Sequence, residues 1–130
     1  MNKPLVYIAC PYKKGNQALN VRASIEQFMH MLIDDVVIPI NPLFNHFAEM
    51  IYPKSREFWL KHDFDLIRKC DALLRISATY APMHYQQCES DGCNREIQLC
   101  QDIDIPVFYN THELYEWAIK FRNQRNNNDR

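Results

Sequence analysis

The segment from Ser90 to Glu96 carries the residue types best suited to chemistry in this sequence. Ser90 and Gly92 stand where a helix is predicted to begin, and the free N–H groups and dipole of a helix N-terminus favour an anion. Glu96 follows just over one turn later, so the pattern predicts an anion site beside a carboxylate. The same spacing is also typical of a simple helix cap with Glu96 in solvent, and spacing alone leaves both interpretations open.

A second pair of candidate acids, Asp63 and Asp65, lies on another predicted helix. If Asp63 meets Glu96, the two carboxylates suit glycosidic chemistry. One attacks or stabilises an oxocarbenium-like centre, and the other moves protons or orients the sugar. The alternative is a salt-bridged surface helix, in which basic neighbours such as Lys61 and Arg68 pair with these acids.

Apolar runs with the period of strands alternate along the chain with segments of helical period. Strands are predicted at 4–10, 36–40, 72–76 and 105–109. Helices are predicted at 17–32, 43–52, 55–70, 92–102 and 112–122, with Ser55, Ser90-Asp91 and Thr111 as caps. The alternation predicts an α/β three-layer sandwich around a parallel, flavodoxin- or Rossmann-like sheet of four to five strands.

The carboxyl ends of the strands are the expected ligand edge of such a sheet. Four segments meet at this edge: 10–16, 41–47, 77–92 and 109–111. Gly15 and Gly92, the two glycines of the chain, both fall on it, which fits either close backbone approach to a ligand or ordinary turns.

Composition excludes several classes of function. The 130 residues predict one domain, 1–122, followed by a polar, disordered tail at 123–130. A net charge of -1 gives no field for polymeric nucleic acid or a membrane surface, and no stretch is long enough for a membrane span. Five cysteines, an odd number, predict reduced thiols and a cytoplasmic location. The spacing of His84 and the cysteines matches no standard zinc site, so neither a metal nor a cofactor is expected.

Five short motifs, in order, resemble the nucleoside 2-deoxyribosyltransferase-like superfamily, which includes 2'-deoxynucleoside 5'-monophosphate N-glycosidases. They span about residues 5–109. The motifs are Val6-Tyr7-Ile8-Ala9-Cys10-Pro11-Tyr12, Pro42-Leu43 with His46, Trp59-x3-Asp63 with Cys70-Asp71, Ser90-x-Gly92-x3-Glu96, and Ile105-Pro106-Val107. Arg22 stands on the first helix, where relatives often carry an arginine. Cys10 departs from the small residue usual in that loop.

The resemblance implies roles for the matching residues. Glu96 would be the nucleophile, Asp63 would hold the sugar or shuttle a proton, and Tyr7 would lie under the sugar or orient Glu96. Ser90 would favour a 5'-monophosphate over a free nucleoside, although the charge of Asp91 would repel a phosphate unless it points away.

The remaining substrate contacts would come from residues at the same sheet edge. The substrate-binding set is Ser90, Gly92, Cys10, Pro11, Tyr12, Arg22, His46 and Asp91. Lys13 and Lys14 fit either a phosphate contact or a solvated loop, and Tyr80 or Tyr85 would stack on the base. Relatives are usually oligomers, and the helix at 55–70 has apolar residues on more than one side, so a homodimer or higher homo-oligomer is expected.

Three functions remain open from the sequence. The first is hydrolysis of a (deoxy)nucleoside 5'-monophosphate to base and sugar phosphate. The second is a transferase that exchanges bases, which differs only in whether water or a base intercepts the intermediate. The third is a non-catalytic module that binds or senses a nucleotide, against which the presence of both Glu96 and Asp63 argues.

Overall fold

A computed structural model describes residues 2–76 and 90–128, with the side chains of 126–128 left aside. Within these residues the chain forms a four-stranded, all-parallel sheet and five α-helices. The strands are β1 (Leu5–Ala9), β2 (Ile38–Ile40), β3 (Ala72–Arg75) and β4 (Val107–Phe108). The helices are α1 (Gln17–Asp34), α2 (Asn45–Ile51), α3 (Arg56–Ile67), α4 (Asp91–Asp102) and α5 (Thr111–Asn128), with a 3₁₀ turn at Pro42–Phe44 before α2.

The strand order β2-β1-β3-β4 is the flavodoxin-like order and confirms the predicted fold class. β1 is central, and its register aligns Tyr7 with Ile40 of β2 on one side and with Leu73 of β3 on the other. Pro39 lies within β2, where a missing N–H is tolerated because β2 is an edge strand.

Alternation along β1 sends side chains to both faces of the sheet, and helices cover each face. Val6 and Ile8 pack on one face with Met31 of α1 and Leu114 of α5. Tyr7 and Ala9 point to the other face, where the buried residues of the core are Ile67, Cys70, Leu73, Cys93 and Cys100. The three-layer arrangement therefore places Tyr7 on the same face as α3 and α4.

Several predicted boundaries are corrected by the structure. α5 continues through residues 123–128, which the composition had assigned to a disordered tail. Arg125 explains part of this extension, because its guanidinium lies 5.0 Å from the ring centroid of Phe121 and 3.9 Å from Asp71. The cap of α5 is Asn110, whose side chain accepts from the N–H of Glu113 at 2.9 Å, and not Thr111.

The two edge strands are shorter than their apolar runs. β2 begins at Ile38 although the run begins at 36, and β4 holds two residues although its run spans 105–109. No helix in the described part of the chain is both long enough and apolar enough to cross a membrane.

Candidate active site

A cavity of about 540 Å³ opens at the carboxyl ends of the strands, the position expected for a ligand in a parallel sheet. The buried lining residues that form its floor include Tyr7, Cys10, Leu60, Cys93 and Glu96. The exposed lining residues that form its mouth include Lys13, Lys14, Lys54, Arg56 and Asp91.

Glu96 lies on the floor, where α4 presents it beside the sheet. The side chain of Ser90 accepts from the N–H of Cys93 at 3.2 Å and so begins α4 at Asp91. From that start, Cys93, Glu96 and Cys100 recur at helical spacing on the buried side. Glu96 is 6% exposed, which corrects the alternative that placed it in solvent.

Tyr7 connects the central strand to Glu96, because its hydroxyl donates a hydrogen bond to Glu96 Oε2. Tyr7 is fully buried. Burial, followed by the nearby charges of Glu96 and Asp63, raises the pKa of Tyr7 well above its usual value. The phenol therefore stays protonated and acts as a fixed donor to the carboxylate.

Asp63 is the second acid of the cavity. Among residues 2–76 and 90–128, its buried Oδ1 has no hydrogen-bond partner. Asp65, two residues further along α3, faces solvent and pairs with Arg68 at 3.1 Å. The salt-bridged helix that the sequence left open is therefore correct for Asp65 and wrong for Asp63.

Both cavity acids have raised pKa values. Burial has the largest effect on the pKa of Glu96 and raises it. The Tyr7 hydrogen bond lowers this pKa, the charge of Asp63 raises it, and the charge of Arg75 lowers it. The net result is a pKa of about 8. Burial raises the pKa of Asp63 to about 7, against the lowering effect of the Tyr7 hydroxyl. Two adjacent carboxyls that exchange protons near neutral pH are suited to acid–base and nucleophilic roles.

Tyr12 and His46 form a second polar group on the cavity wall. The Tyr12 hydroxyl shares a hydrogen bond with His46 Nδ1, and the two rings meet edge to face with their centroids 5.5 Å apart. Burial and the charge of Glu49 raise the pKa of Tyr12. Glu49 accepts a hydrogen bond from the Lys54 N–H at 2.6 Å and another from the Trp59 indole at 2.9 Å, and these bonds lower its pKa.

The loop between β1 and α1 is held in place by Asn20, which is fully buried. Its side-chain amide donates to the carbonyl oxygens of Tyr12 at 3.0 Å and of Lys14 at 2.8 Å. Gly15, with a φ of 83°, supplies the left-handed backbone conformation that this turn requires. Asn20 and Gly15 therefore position the Tyr12 side of the cavity.

Asn20→Asp is expected to lower the free energy of unfolding by about 2–3 kcal/mol, because a carboxylate would face the two carbonyl oxygens. Urea denaturation followed by circular dichroism measures this change. Asn123→Asp, the same substitution at an exposed position of α5, serves as the control and should be nearly neutral. Equal stabilities of the two variants would contradict the role of Asn20 in holding the loop between β1 and α1.

Most of the expected substrate-binding residues meet at this cavity, but two do not line it. The expected residues that line it are Cys10, Tyr12, His46, Ser90, Asp91 and Gly92. Arg22 is 74% exposed and pairs with Glu26 at 2.9 Å, because Val21 and Ser24 occupy the inward side of α1. Pro11 is buried in the protein and does not line the cavity. Tyr80, Tyr85 and His84 lie outside the described residues.

Four polar residues in or near the cavity were not identified as site residues from the sequence. Glu49, Lys54 and Arg56 line it, and Arg75 is 3% exposed at the end of β3, where its charge lowers the pKa of Glu96. A basic residue closing an apolar strand was a usable signal for Arg75. The other three reach the cavity through tertiary packing, which local spacing does not reveal.

Among the described residues, no group of three or more histidine, cysteine or acidic side chains is arranged to hold a metal ion. Comparison with known protein families finds no family model that matches this chain. Comparison with curated proteins finds no significant match either.

Proposed function

We propose that this protein cleaves the N-glycosidic bond of a (deoxy)nucleoside 5'-monophosphate, with Glu96 as nucleophile, and releases the base and a sugar phosphate. The observation that carries the proposal is the buried contact between Glu96 and the Tyr7 hydroxyl, with Asp63 beside it in one cavity. The cavity volume lies within the usual range of small-molecule sites. The motifs similar to nucleoside 2-deoxyribosyltransferase-like proteins contain these same three residues.

The first step requires Glu96 ionised and Asp63 protonated. A single proton shared by the pair favours Glu96, but the two pKa values, about 8 and about 7, are close, so the reactive arrangement with the proton on Asp63 is also populated. The Glu96 carboxylate attacks the anomeric carbon, the C–N bond breaks, and its electron pair passes to the nitrogen of the base. Asp63, with a pKa of about 7, donates the proton that the departing base needs. The Tyr7 hydroxyl orients Glu96 during the attack.

In the second step, Asp63 acts as a general base toward water. It takes one proton while the water oxygen attacks the anomeric carbon, and the ester bond to Glu96 breaks to restore the carboxylate. The sugar phosphate then carries a new hydroxyl group, and Asp63 is again protonated for the next cycle.

Two other functions have specific consequences. In a transferase, a second base attacks the glycosyl-enzyme in place of water, and the same acids act. In a binding module, the cavity holds a nucleotide, and neither Glu96 nor Asp63 takes part in a reaction. Burying two carboxyl groups beside each other costs stability, and a site that only binds a nucleotide has no use for the resulting acid pair. The raised pKa values of both acids therefore favour catalysis over binding alone.

The discriminating experiment is a base-release assay. Purified protein is incubated with ribo- and deoxynucleoside 5'-monophosphates and with free nucleosides, and released bases are separated by chromatography. Release without an acceptor base identifies a hydrolase, and release that depends on an added base identifies a transferase. No release from any substrate, with or without an acceptor, would reject both enzymatic functions.

We also propose that the protein is a cytoplasmic homo-oligomer. Large apolar side chains are exposed on α2, at its end and on α3, where contact with a second copy would bury them. They are Phe47, Met50, Ile51, Tyr52 and Phe58, between 50% and 73% exposed.

A further inference from the structure

An ion pair lies at the mouth of the cavity. Arg56, the first residue of α3, donates through Nη2 to Asp91 Oδ2, and Asp91 is the first residue of α4. Both residues line the cavity. Their side chains are 57% and 68% exposed, so the pair contributes little to folding and its charges remain accessible to a ligand.

The basic side chains at the mouth favour an anion, and the Asp91 carboxylate opposes it. Lys13, Lys14 and Lys54 also line this part of the cavity. Asp91 follows Ser90 directly in the chain. A ligand phosphate bound at Ser90 would therefore lie near the Asp91 carboxylate, and the two negative charges would repel each other. Pairing with Arg56 offsets that repulsion. It therefore resolves the conflict between Ser90 and Asp91 that the sequence contains.

A guanidinium offers five N–H donors. Arg56 uses Nη2 for Asp91, and its other donors remain suited to phosphate oxygens, which arginine binds in bidentate fashion. The same cavity also contains the buried Oδ1 of Asp63, which has no hydrogen-bond partner among the described residues and is open to a ligand group.

We propose that the Arg56–Asp91 pair determines whether the site accepts a 5'-phosphate or a 5'-hydroxyl. Arg56 binds the phosphate and holds the Asp91 carboxylate away from it. Without Arg56, Asp91 repels the phosphate and accepts a hydrogen bond from a 5'-hydroxyl. This inference rests on the proposed nucleotide site, but it concerns recognition and is testable without turnover.

The test measures binding by calorimetry in the Glu96→Gln background, in which the proposed chemistry is blocked. The probes are the four common 2'-deoxynucleosides, their 5'-monophosphates and 2-deoxyribose 5-phosphate. Arg56→Met is expected to weaken monophosphate binding by about 30-fold and nucleoside binding by less than about threefold. Asp91→Asn is expected to change the preference about fivefold in the opposite direction, toward the monophosphate.

The chain offers a matched control pair. Arg95 and Glu57 also join α4 to α3, at 2.9 Å, but neither lines the cavity. Arg95→Met should leave the ratio of monophosphate to nucleoside affinity within about twofold of the parent. An equal change in Arg95→Met and Arg56→Met would show a general effect of helix packing and would overturn the inference.

The outcomes separate this inference from the proposed reaction. Altered preference in Arg56→Met, combined with no base release by the wild type, supports the inference and rejects the reaction. Base release by the wild type with an unchanged preference in Arg56→Met overturns the inference alone. Failure of the parent to bind any monophosphate also overturns it.

Discussion

Glu96→Gln is expected to lower the turnover number for base release by about a thousandfold or more. Glutamine has the size of glutamate, and its amide oxygen still accepts the hydrogen bond from Tyr7, so the floor of the cavity keeps its shape. An amide does not form the glycosyl ester, so the first chemical step is lost. Steady-state assays with the best substrate of the base-release panel measure the effect.

Glu57→Gln provides the matched control, because it makes the same substitution on an exposed side chain of α3 outside the cavity. Its turnover number should stay within about twofold of the wild type. Calorimetry should show that Glu96→Gln still binds the substrate. If Glu96→Gln kept more than a tenth of the wild-type turnover, Glu96 would not be the nucleophile.

The second large effect concerns stability. Asp63→Asn is expected to raise the free energy of unfolding by about 2–4 kcal/mol above pH 8. Folding raises the pKa of Asp63 to about 7, so the folded protein binds a proton more tightly than the unfolded chain does. The stability associated with this proton is present at low pH and is lost as the pH rises from about 4 through 7. Asparagine carries no charge to desolvate and avoids that loss.

Urea denaturation between pH 3 and pH 9 tests this prediction. The gain of Asp63→Asn should disappear as the pH falls below the ordinary Asp pKa of 3.8, where Asp63 becomes protonated in both states. Asp65→Asn, two residues away on the exposed side of α3, should show no gain at any pH. A pH-independent gain for Asp63→Asn would mean that a cause other than the buried charge is responsible.

Periodicity was sufficient to predict the layers of the fold. The alternation of Val6, Tyr7 and Ile8 across the two faces follows from the strand period, and the side chains of Ser55 and Ser90 cap α3 and α4 as predicted. The cap of α5 was wrong because Asn110 and Thr111 are both good capping residues, and sequence alone does not decide between neighbours.

The floor of the cavity was more predictable than its mouth. Glu96 and Tyr7 lie on regular elements, where one rotation of a helix or one register of a strand fixes their direction. Arg22 was expected at the cavity from the resemblance alone, and in the structure its side chain faces solvent and pairs with Glu26. Arg56 was missed because its contact with Asp91 joins residues that are distant in sequence.

The residues of the mouth and of the floor belong to different parts of the fold. Lys13 and Lys14 lie in a connecting loop, Lys54 precedes α3, and these side chains are exposed. Tyr7 is a core residue of the central strand, so its replacement would disturb folding as well as any reaction. In evolution, substitutions at the mouth can therefore change how the cavity meets a ligand while the sheet stays intact, whereas the proposed chemistry would be tied to the packing of the core.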